Sequence, residues 1–428
     1  MLDLPLLAGP VPTLLSVVAM AALAWLLVRP VPARRVSVTG CLVIAAASTA
    51  VAGRLVTDVW ELFPAEDLEP ETYFWSGFAV FAIVLATTRI PVRPRGRTLT
   101  VLAATIVVAA SANQINTEFQ AYPTLRAAIR SPHPSEIAFD RITSAASLPR
   151  TEGPVETRWQ PPPDLPAAGR ITHARIPGTR SGFRARTAEI YLPPAYFTDP
   201  RPLLPVLVLL PGQPGSPQDW LVSGSLVSTM DTFAARHRGL APIVVVADGT
   251  GGLWNNPLCA DTRRARAATY LGVDVPDWIR ANLAVDPDPA AWAVAGASYG
   301  ATCAIQLALT APETYPTFLS MSGESRPSLG SPTRTLEEGF DGDTAAFARA
   351  DPLALLRTRP YPRTAGVVAV GDQDTDTIPE SRTIATALTA AGAQIRYRQP
   401  PGGHDWRVWS NTLRLELPWL ARRTGLTS

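Results

Sequence analysis

Gly296-Ala297-Ser298-Tyr299-Gly300 is the stretch whose residue types and spacing point most directly to covalent chemistry. An apolar run, Trp292 to Ala297, leads into this G-x-S-x-G, and a helical pattern, Ala301 to Thr310, leaves it. A strand that turns at once into a helix holds its serine in a strained backbone geometry, and glycines are required on either side because larger side chains would collide there. Ser298 Oγ is expected at the carboxyl edge of a sheet, with a helix N-terminus near enough to favour an oxyanion.

A serine hydroxyl needs a base. His133, His173 and His237 precede Ser298 and only His404 follows it, so the chain order nucleophile, acid, histidine leaves His404. It lies in Pro401-Gly402-Gly403-His404-Asp405-Trp406, a loop after a predicted strand. The third member must be a carboxylate that orients the imidazole and stabilises it once protonated. Gly371-Asp372-Gln373-Asp374-Thr375-Asp376 follows another predicted strand and offers three. Asp374, at the G-x-x-D position, is preferred, with Asp376 and then Asp372 as alternatives and Glu324 a more distant one. The oxyanion needs backbone N–H donors. Tyr299 supplies one, and the turn Leu210-Pro211-Gly212-Gln213-Pro214-Gly215 supplies the other. Because Pro211 and Pro214 have no N–H, Gln213 or Gly212 must donate, and Gln213 is favoured.

The elements that must position these groups are short apolar runs alternating with amphipathic segments. Strands are predicted over Ala185–Leu192, Val206–Leu210, Ile243–Ala247, Trp292–Ala297, Thr317–Met321, Gly366–Val370 and Gln394–Gln399, and helices over Asp231–His237, Ala267–Asn282, Ala301–Thr310 and Ser381–Ala391. This alternation predicts a mostly parallel central sheet with helices on both faces.

Ahead of this domain the sequence changes character. Val11–Val28, Val36–Gly53, Thr72–Thr88 and Thr98–Ile115 are uncharged apolar stretches of 17 to 18 residues, near the lower length for a helix that crosses a bilayer. They predict an N-terminal four-helix transmembrane bundle. Arg29, Arg34 and Arg35 lie between the first pair, and Arg89, Arg93, Arg95 and Arg97 between the last pair, whereas the middle connection carries Asp58, Glu61, Glu66, Asp67, Glu69 and Glu71. By the positive-inside rule the first and last connections are cytoplasmic, so the N-terminus and the whole C-terminal domain are extracytoplasmic. With no Asp, Glu, Lys, Arg or His inside a stretch, the bundle reads as an anchor in the cell membrane, not an ion pathway. The boundaries are 1–118 for the anchor, 119–168 for a Pro-rich connector and 169–428 for the α/β domain.

Composition narrows the function further. Only 17% of the 428 residues are charged and mean hydropathy is +0.10, which excludes a disordered chain. All 38 basic residues are Arg and nearly cancel 36 acids, so no nucleic-acid partner is expected. No metal-ligand cluster or nucleotide fingerprint occurs, and no cofactor is implied. Cys259 and Cys303 both belong near the carboxyl end of the sheet, where an oxidising compartment would allow a disulfide; two unpaired thiols are the alternative.

These features resemble the esterase family of α/β-hydrolases that includes esterase D, feruloyl esterases and the secreted mycolyltransferases of actinobacteria. The resemblance covers residues 169–422 and is carried by Ala188-Glu189-Ile190-Tyr191-Leu192-Pro193-Pro194, the Leu-Leu-Pro-Gly turn, the Gly-Ala-Ser-Tyr-Gly elbow and the Gly-Gly-His-Asp-Trp end. Pro211 departs from the His or Asp common at its place in that family. The four-stretch anchor looks like that of a set of actinobacterial membrane-anchored esterases. The resemblance implies an α/β-hydrolase fold and acyl transfer through a serine ester, to water or to a sugar hydroxyl, with an ester or acyl-lipid as substrate. A ligand-binding or sensor protein is the non-enzymatic alternative, and three intact catalytic groups argue against it.

Overall fold

The computed structural model describes residues 3–29, 36–59, 70–91, 94–129, 135–142, 146–148 and 153–428. The chain divides into two units, Met1–Ser131 and Pro132–Ser428. His133 and much of the charge read as setting the anchor's orientation, including Arg34, Arg35, Arg93, Glu61, Glu66, Asp67 and Glu69, lie outside the described residues.

The first unit contains helices α1 (Pro10–Val28), α2 (Val38–Arg54), α3 (Pro70–Thr88) and α4 (Pro94–Phe119). Its exterior is apolar where that of a water-soluble bundle is polar. Leu14, Val17, Met20, Val43, Val51 and Val101 are exposed, while Ala19, Ala45, Ala82, Ala103, Thr100 and Ser111 are buried between helices. Large aliphatics outside, over an interior that mixes these small residues with Leu26, Phe81 and Leu85, suit packing in lipid, where helix association gains little from apolar burial. Arg89 is buried because its guanidinium donates to the carbonyls of Leu26 and Leu27, the unpaired C-terminal end of α1. Among the described residues three segments, Pro10–Val28, Val38–Thr57 and Pro94–Phe119, are long and apolar enough to cross a bilayer, so the expected set of four is corrected to three. Helix α3 forms but falls short, because Glu71, Thr72, Tyr73, Trp75 and Ser76 make its first two turns too polar.

The second unit is built on one eight-stranded sheet in the order β1-β2-β4-β3-β5-β6-β7-β8. Its strands are β1 (Arg170–Ala174), β2 (Ala188–Leu192), β3 (Val206–Leu210), β4 (Ile243–Val246), β5 (Trp292–Ala297), β6 (Thr317–Met321), β7 (Ala365–Ala369) and β8 (Gln394–Arg398). From β4 to β8 all neighbours are parallel, and β1 and β2 add an antiparallel edge. Every residue of β3, β4, β5, β6 and β7 is buried, as expected of strands covered by helices on both faces. The sheet carries helices α5 (Leu226–Arg236), α6 (Val275–Asn282), α7 (Tyr299–Thr310), α8 (Thr377–Ala390) and α9 (Trp406–Arg423). The connection from β3 runs to one side, to β4, and the next strand, β5, pairs on the other side of β3. That reversal opens a crevice at the carboxyl ends of β3 and β5.

Several elements carry weak sequence signals and were not predicted, β1 and helix α9 among them. The edge strand β1 is Arg-Ile-Thr-His-Ala, whose polar residues mask its pairing with β2. Helix α9 holds Arg, Glu and Pro418, yet it buries Val408, Trp409, Leu413, Leu417 and Leu420 at helical spacing and is capped by Asp405, which accepts from the Val408 N–H at 2.9 Å. Strand β2 begins at Ala188, three residues later than predicted, because Arg186 is drawn to Asp248 by side-chain and backbone hydrogen bonds.

His173 of β1 is clasped between two carboxylates. Its Nε2 lies 2.9 Å from Glu136, in the segment before the sheet, and its Nδ1 pairs with Glu189 of β2. The Glu189 hydrogen bond, against partial burial and with help from Glu136, raises its pKa from 6.5 to about 9. A group raised in the folded state stabilises fully below its unfolded value and loses that contribution as pH rises through the folded one. The melting temperature of the protein is therefore expected to exceed that of His173→Gln by a few degrees at pH 6, with the gap closing by pH 10. A gap that does not narrow between those pH values would show that the clasp is not ionic.

Candidate active site

Ser298 begins the turn from β5 into α7 with φ 51° and ψ −120°, a conformation costly for a residue with a Cβ and held here by its surroundings. Its N–H donates to Met321 O of β6 at 2.9 Å. The flanking glycines are sterically obligatory. A Cβ on Gly296 would lie 2.2 Å from Gly300 O, and one on Gly300 would lie 2.6 Å from the carbonyls of Leu210 and Pro211. Gly300 thus lets the elbow close against the end of β3, bringing the turn after that strand beside the nucleophile. A Cβ built on Gly212 would stand 3.9 Å from Ser298 Oγ, and Gln213 follows in the same turn. Tyr299, next to the nucleophile, is half-buried and donates its hydroxyl to Gly249 O at 3.1 Å; burial of that hydroxyl pushes the phenol well above its usual range.

Asp374 and His404 come from different loops, and backbone contacts between those loops bring them together. A Cβ on Gly371 would fall 2.2 Å from Gly402 O and 2.5 Å from Gly403 O, so only glycine allows this approach. Asp372 N–H donates to Pro400 O and Gln373 N–H to Gly402 O, both at 2.9 Å. Asp372 Oδ1 accepts from Gly402 N–H at 2.9 Å. The result is a 3.0 Å pairing of Asp374 Oδ2 with His404 Nδ1. Burial alone would raise the Asp374 carboxyl, but its hydrogen bond to His404, with a further contribution from Thr377, outweighs this and holds it below the usual carboxylate range. Asp374 is therefore ionised at neutral pH, as the partner of an imidazolium must be. Of the alternatives, Asp372 ties the histidine loop, Asp376 takes only a 3.4 Å bond from Thr375 on the exposed side, and Glu324 N–H donates to Thr302.

The imidazole is also supported by aromatic packing. Trp409 meets His404 edge to face at 5.1 Å between ring centroids, Trp406 packs on Trp409 at 5.0 Å, and Trp220 packs on Trp406 at 5.2 Å. Trp220 Nε1 donates to Leu210 O at 3.0 Å, linking this row to the end of β3. A histidine so held keeps one ring nitrogen on a carboxylate, which orients the ring.

Two arrangements at the site were not read from the sequence as a whole. Asp248, just past β4 and fully buried, receives a two-pronged pairing from Arg186, at 3.0 and 2.7 Å. Arg186 also donates to Gly215 O at 2.8 Å and so braces the turn after β3. Burial would raise the Asp248 carboxyl, and Arg186 more than offsets that, leaving it lowered. Their separation by 62 residues hides the pair from any local pattern. The second is the anchoring of the segment Asp248–Ala260, of which the sequence predicts only the Cys259–Cys303 disulfide, formed as expected. Cys259 is disulfide-bonded to Cys303 of α7, and its N–H donates to Tyr299 Oη at 3.0 Å. A bridge spanning 44 residues stabilises by on the order of 4 kcal/mol in the loop-entropy model. A cavity of about 760 Å³ lined by Trp159, Leu203, Asp286 and Arg422 contains none of Ser298, Asp374 and His404.

A mostly parallel sheet, a strand-to-helix elbow bearing a serine, and a carboxylate-histidine pair at the same carboxyl edge define an α/β-hydrolase. The family model Esterase matches residues 182–420, more than half of the chain, and the chain belongs to this family of serine hydrolases acting on carboxylic esters. An uncharacterised protein of Corynebacterium glutamicum (strain ATCC 13032) is 35% identical over 403 residues, covering 91% of this chain and 90% of that protein. That similarity reaches well beyond the residues matched by the family model, into the helical N-terminal unit. Among solved structures, an S-formylglutathione hydrolase from Agrobacterium tumefaciens is 18% identical with a TM-score of 0.51, covering 61% of this chain and 98% of that one. MPT51 of Mycobacterium tuberculosis is 19% identical with a TM-score of 0.45, covering 59% and 97%. At 18% identity the likeness to the hydrolase is one of fold.

Proposed function

We propose that this protein is a membrane-anchored esterase that cleaves carboxylic esters outside the cytoplasm through an acyl-enzyme on Ser298. The reading rests on the 3.0 Å pairing of Asp374 with His404 at the sheet edge that carries the Ser298 elbow. His404 takes the Ser298 proton as Oγ attacks the ester carbonyl. The resulting oxyanion is received by backbone N–H groups of Tyr299 and Gln213, and the protonated imidazole gives its proton to the departing alcohol. Water, deprotonated by the same histidine, then releases the acid and restores the serine. Asp374 keeps the imidazole in the productive tautomer throughout.

Residues 1–118 serve as the anchor, 119–168 as the connector and 169–428 as the catalytic part. The apolar exterior of the helical unit supports the anchor, and the Cys259–Cys303 disulfide supports an oxidising, extracytoplasmic setting. An anchored esterase works within reach of the bilayer, which favours an acyl-lipid of the cell envelope as substrate. The row Trp220, Trp406 and Trp409 beside His404 favours a second reading, in which the acyl group passes to a sugar hydroxyl in preference to water. Labelling of intact cells with a membrane-impermeant fluorophosphonate, followed by lipid profiling, tests the proposal. Labelling without lysis is expected, and labelling that appears only after lysis would overturn the orientation.

A further inference from the structure

Beyond the nucleophile and its partners, the carboxyl edge of the sheet carries an apolar pair that the chemistry above does not use. Leu253 and Trp254 are 45% and 48% exposed. Among the described residues after 153, Leu415 on α9 is the one other large apolar side chain so exposed, and single exposed leucines need no explanation. Leu253 and Trp254 differ in being adjacent and in being attached to the turn beside Ser298. Gly215 N–H donates to Leu253 O at 3.3 Å, and Gln213 Nε2 donates to Trp254 O at 3.2 Å.

The segment that presents them is held at both ends, which fixes the backbone that carries these side chains. At its start Thr250 Oγ1 donates to Gly252 O at 2.9 Å beside the Arg186–Asp248 pair. At its end Asn256 donates to Ser328 O at 3.0 Å, Gln306 of α7 donates to Leu258 O at 3.1 Å, and Cys259 is bonded to α7. Leu258 and Cys259 both have positive φ, 59° and 48°, which non-glycine residues adopt only where the surroundings hold them. Fixing an adjacent Leu-Trp pair in water next to a reactive group is unfavourable unless a ligand covers it.

We propose that Leu253 and Trp254 form the surface that receives the aliphatic acyl chain of the substrate ester. The side of the site on which they stand selects the acyl chain over the alcohol. The departing alcohol takes its proton from His404 and must face the loop after β8. Leu253 and Trp254 follow β4, at the other end of the parallel strands and past the turn after β3 that receives the oxyanion. With the alcohol on the histidine side and the oxyanion at that turn, the acyl chain is the substituent directed toward β4.

This inference rests on the esterase reading, and its test separates the two. For the full-length protein in detergent, kcat/KM is measured with p-nitrophenyl acetate and p-nitrophenyl octanoate, in the parent and in a Leu253→Ser/Trp254→Ser variant. The octanoate-to-acetate ratio is expected to fall by on the order of tenfold in the variant, since an apolar chain loses the surface it covers. Leu415→Ser, which removes the other exposed apolar side chain, is expected to leave the ratio as it was. A ratio that stays within about twofold of the parent's in the double variant, including a parallel loss with both esters, overturns the assignment to the acyl chain. Failure of the parent to turn over either ester overturns the esterase reading itself.

Discussion

Ser298→Ala is expected to lower kcat for p-nitrophenyl acetate by roughly 10⁴ to 10⁶ and to abolish labelling by a fluorophosphonate. The size follows from the role. No other group at the elbow can form the ester bond to the acyl group, so its loss removes the covalent path and leaves only what oxyanion donors and binding contribute. The substitution itself is structurally mild. The backbone at 298 is held by the N–H bond to Met321 O and by the approach of Gly300 to Leu210 and Pro211, and alanine keeps both. Alanine has a Cβ as serine does, so the φ of 51° is no harder to adopt. A variant that folds, as judged by its circular dichroism, yet still reacts with the probe would reject Ser298 as nucleophile.

Asp374→Asn is expected to lower kcat by about 10⁴ while leaving KM nearly unchanged. The amide retains the size of the carboxylate, but it cannot stabilise an imidazolium, and its NH₂ group can face Nδ1 and favour the wrong tautomer of His404. The buried Asp374 carboxyl is held ionised chiefly by its bond to His404, so the pair loses its charge complementarity on substitution. Asp376→Asn should have little effect, because Asp376 contacts Thr375 on the exposed side. Asp372→Asn should be intermediate at most. Asn keeps the Oδ1 acceptor that Gly402 N–H uses to hold the histidine loop. Equal losses from all three substitutions would sink the assignment of Asp374 and point to a role for the loop's total charge.

The candidate site residues were legible in the sequence because their signals are local. Gly296 and Gly300 sit around Ser298 within five positions, and a backbone that must turn from strand to helix there leaves no other residue type possible. Fully buried parallel strands such as Val206–Leu210 and Trp292–Ala297 announce themselves as uninterrupted apolar runs. Helix α9 and strand β1 were harder to read. One mixes its buried stripe with Arg and Pro, and the other is a polar edge strand whose stability comes from β2. The helix Pro70–Thr88 shows the opposite error, an apolar core stretch read as a span when its first turns are too polar.

Chain order and composition by themselves determined the class of chemistry, the candidate nucleophile and base, and the presence of apolar N-terminal segments, since each depends on residue type and near spacing. Which of Asp372, Asp374 and Asp376 meets His404 was decided only in three dimensions. Gly371 lies against the carbonyls of Gly402 and Gly403, and this contact between loops 31 and 32 positions apart fixes the rotation that aims Asp374, and not its neighbours, at the imidazole. The same holds for Arg186 with Asp248, and for the placing of Leu253 and Trp254 beside the turn after β3. Such pairings depend on the order in which strands join the sheet, and no local pattern of residues carries that order.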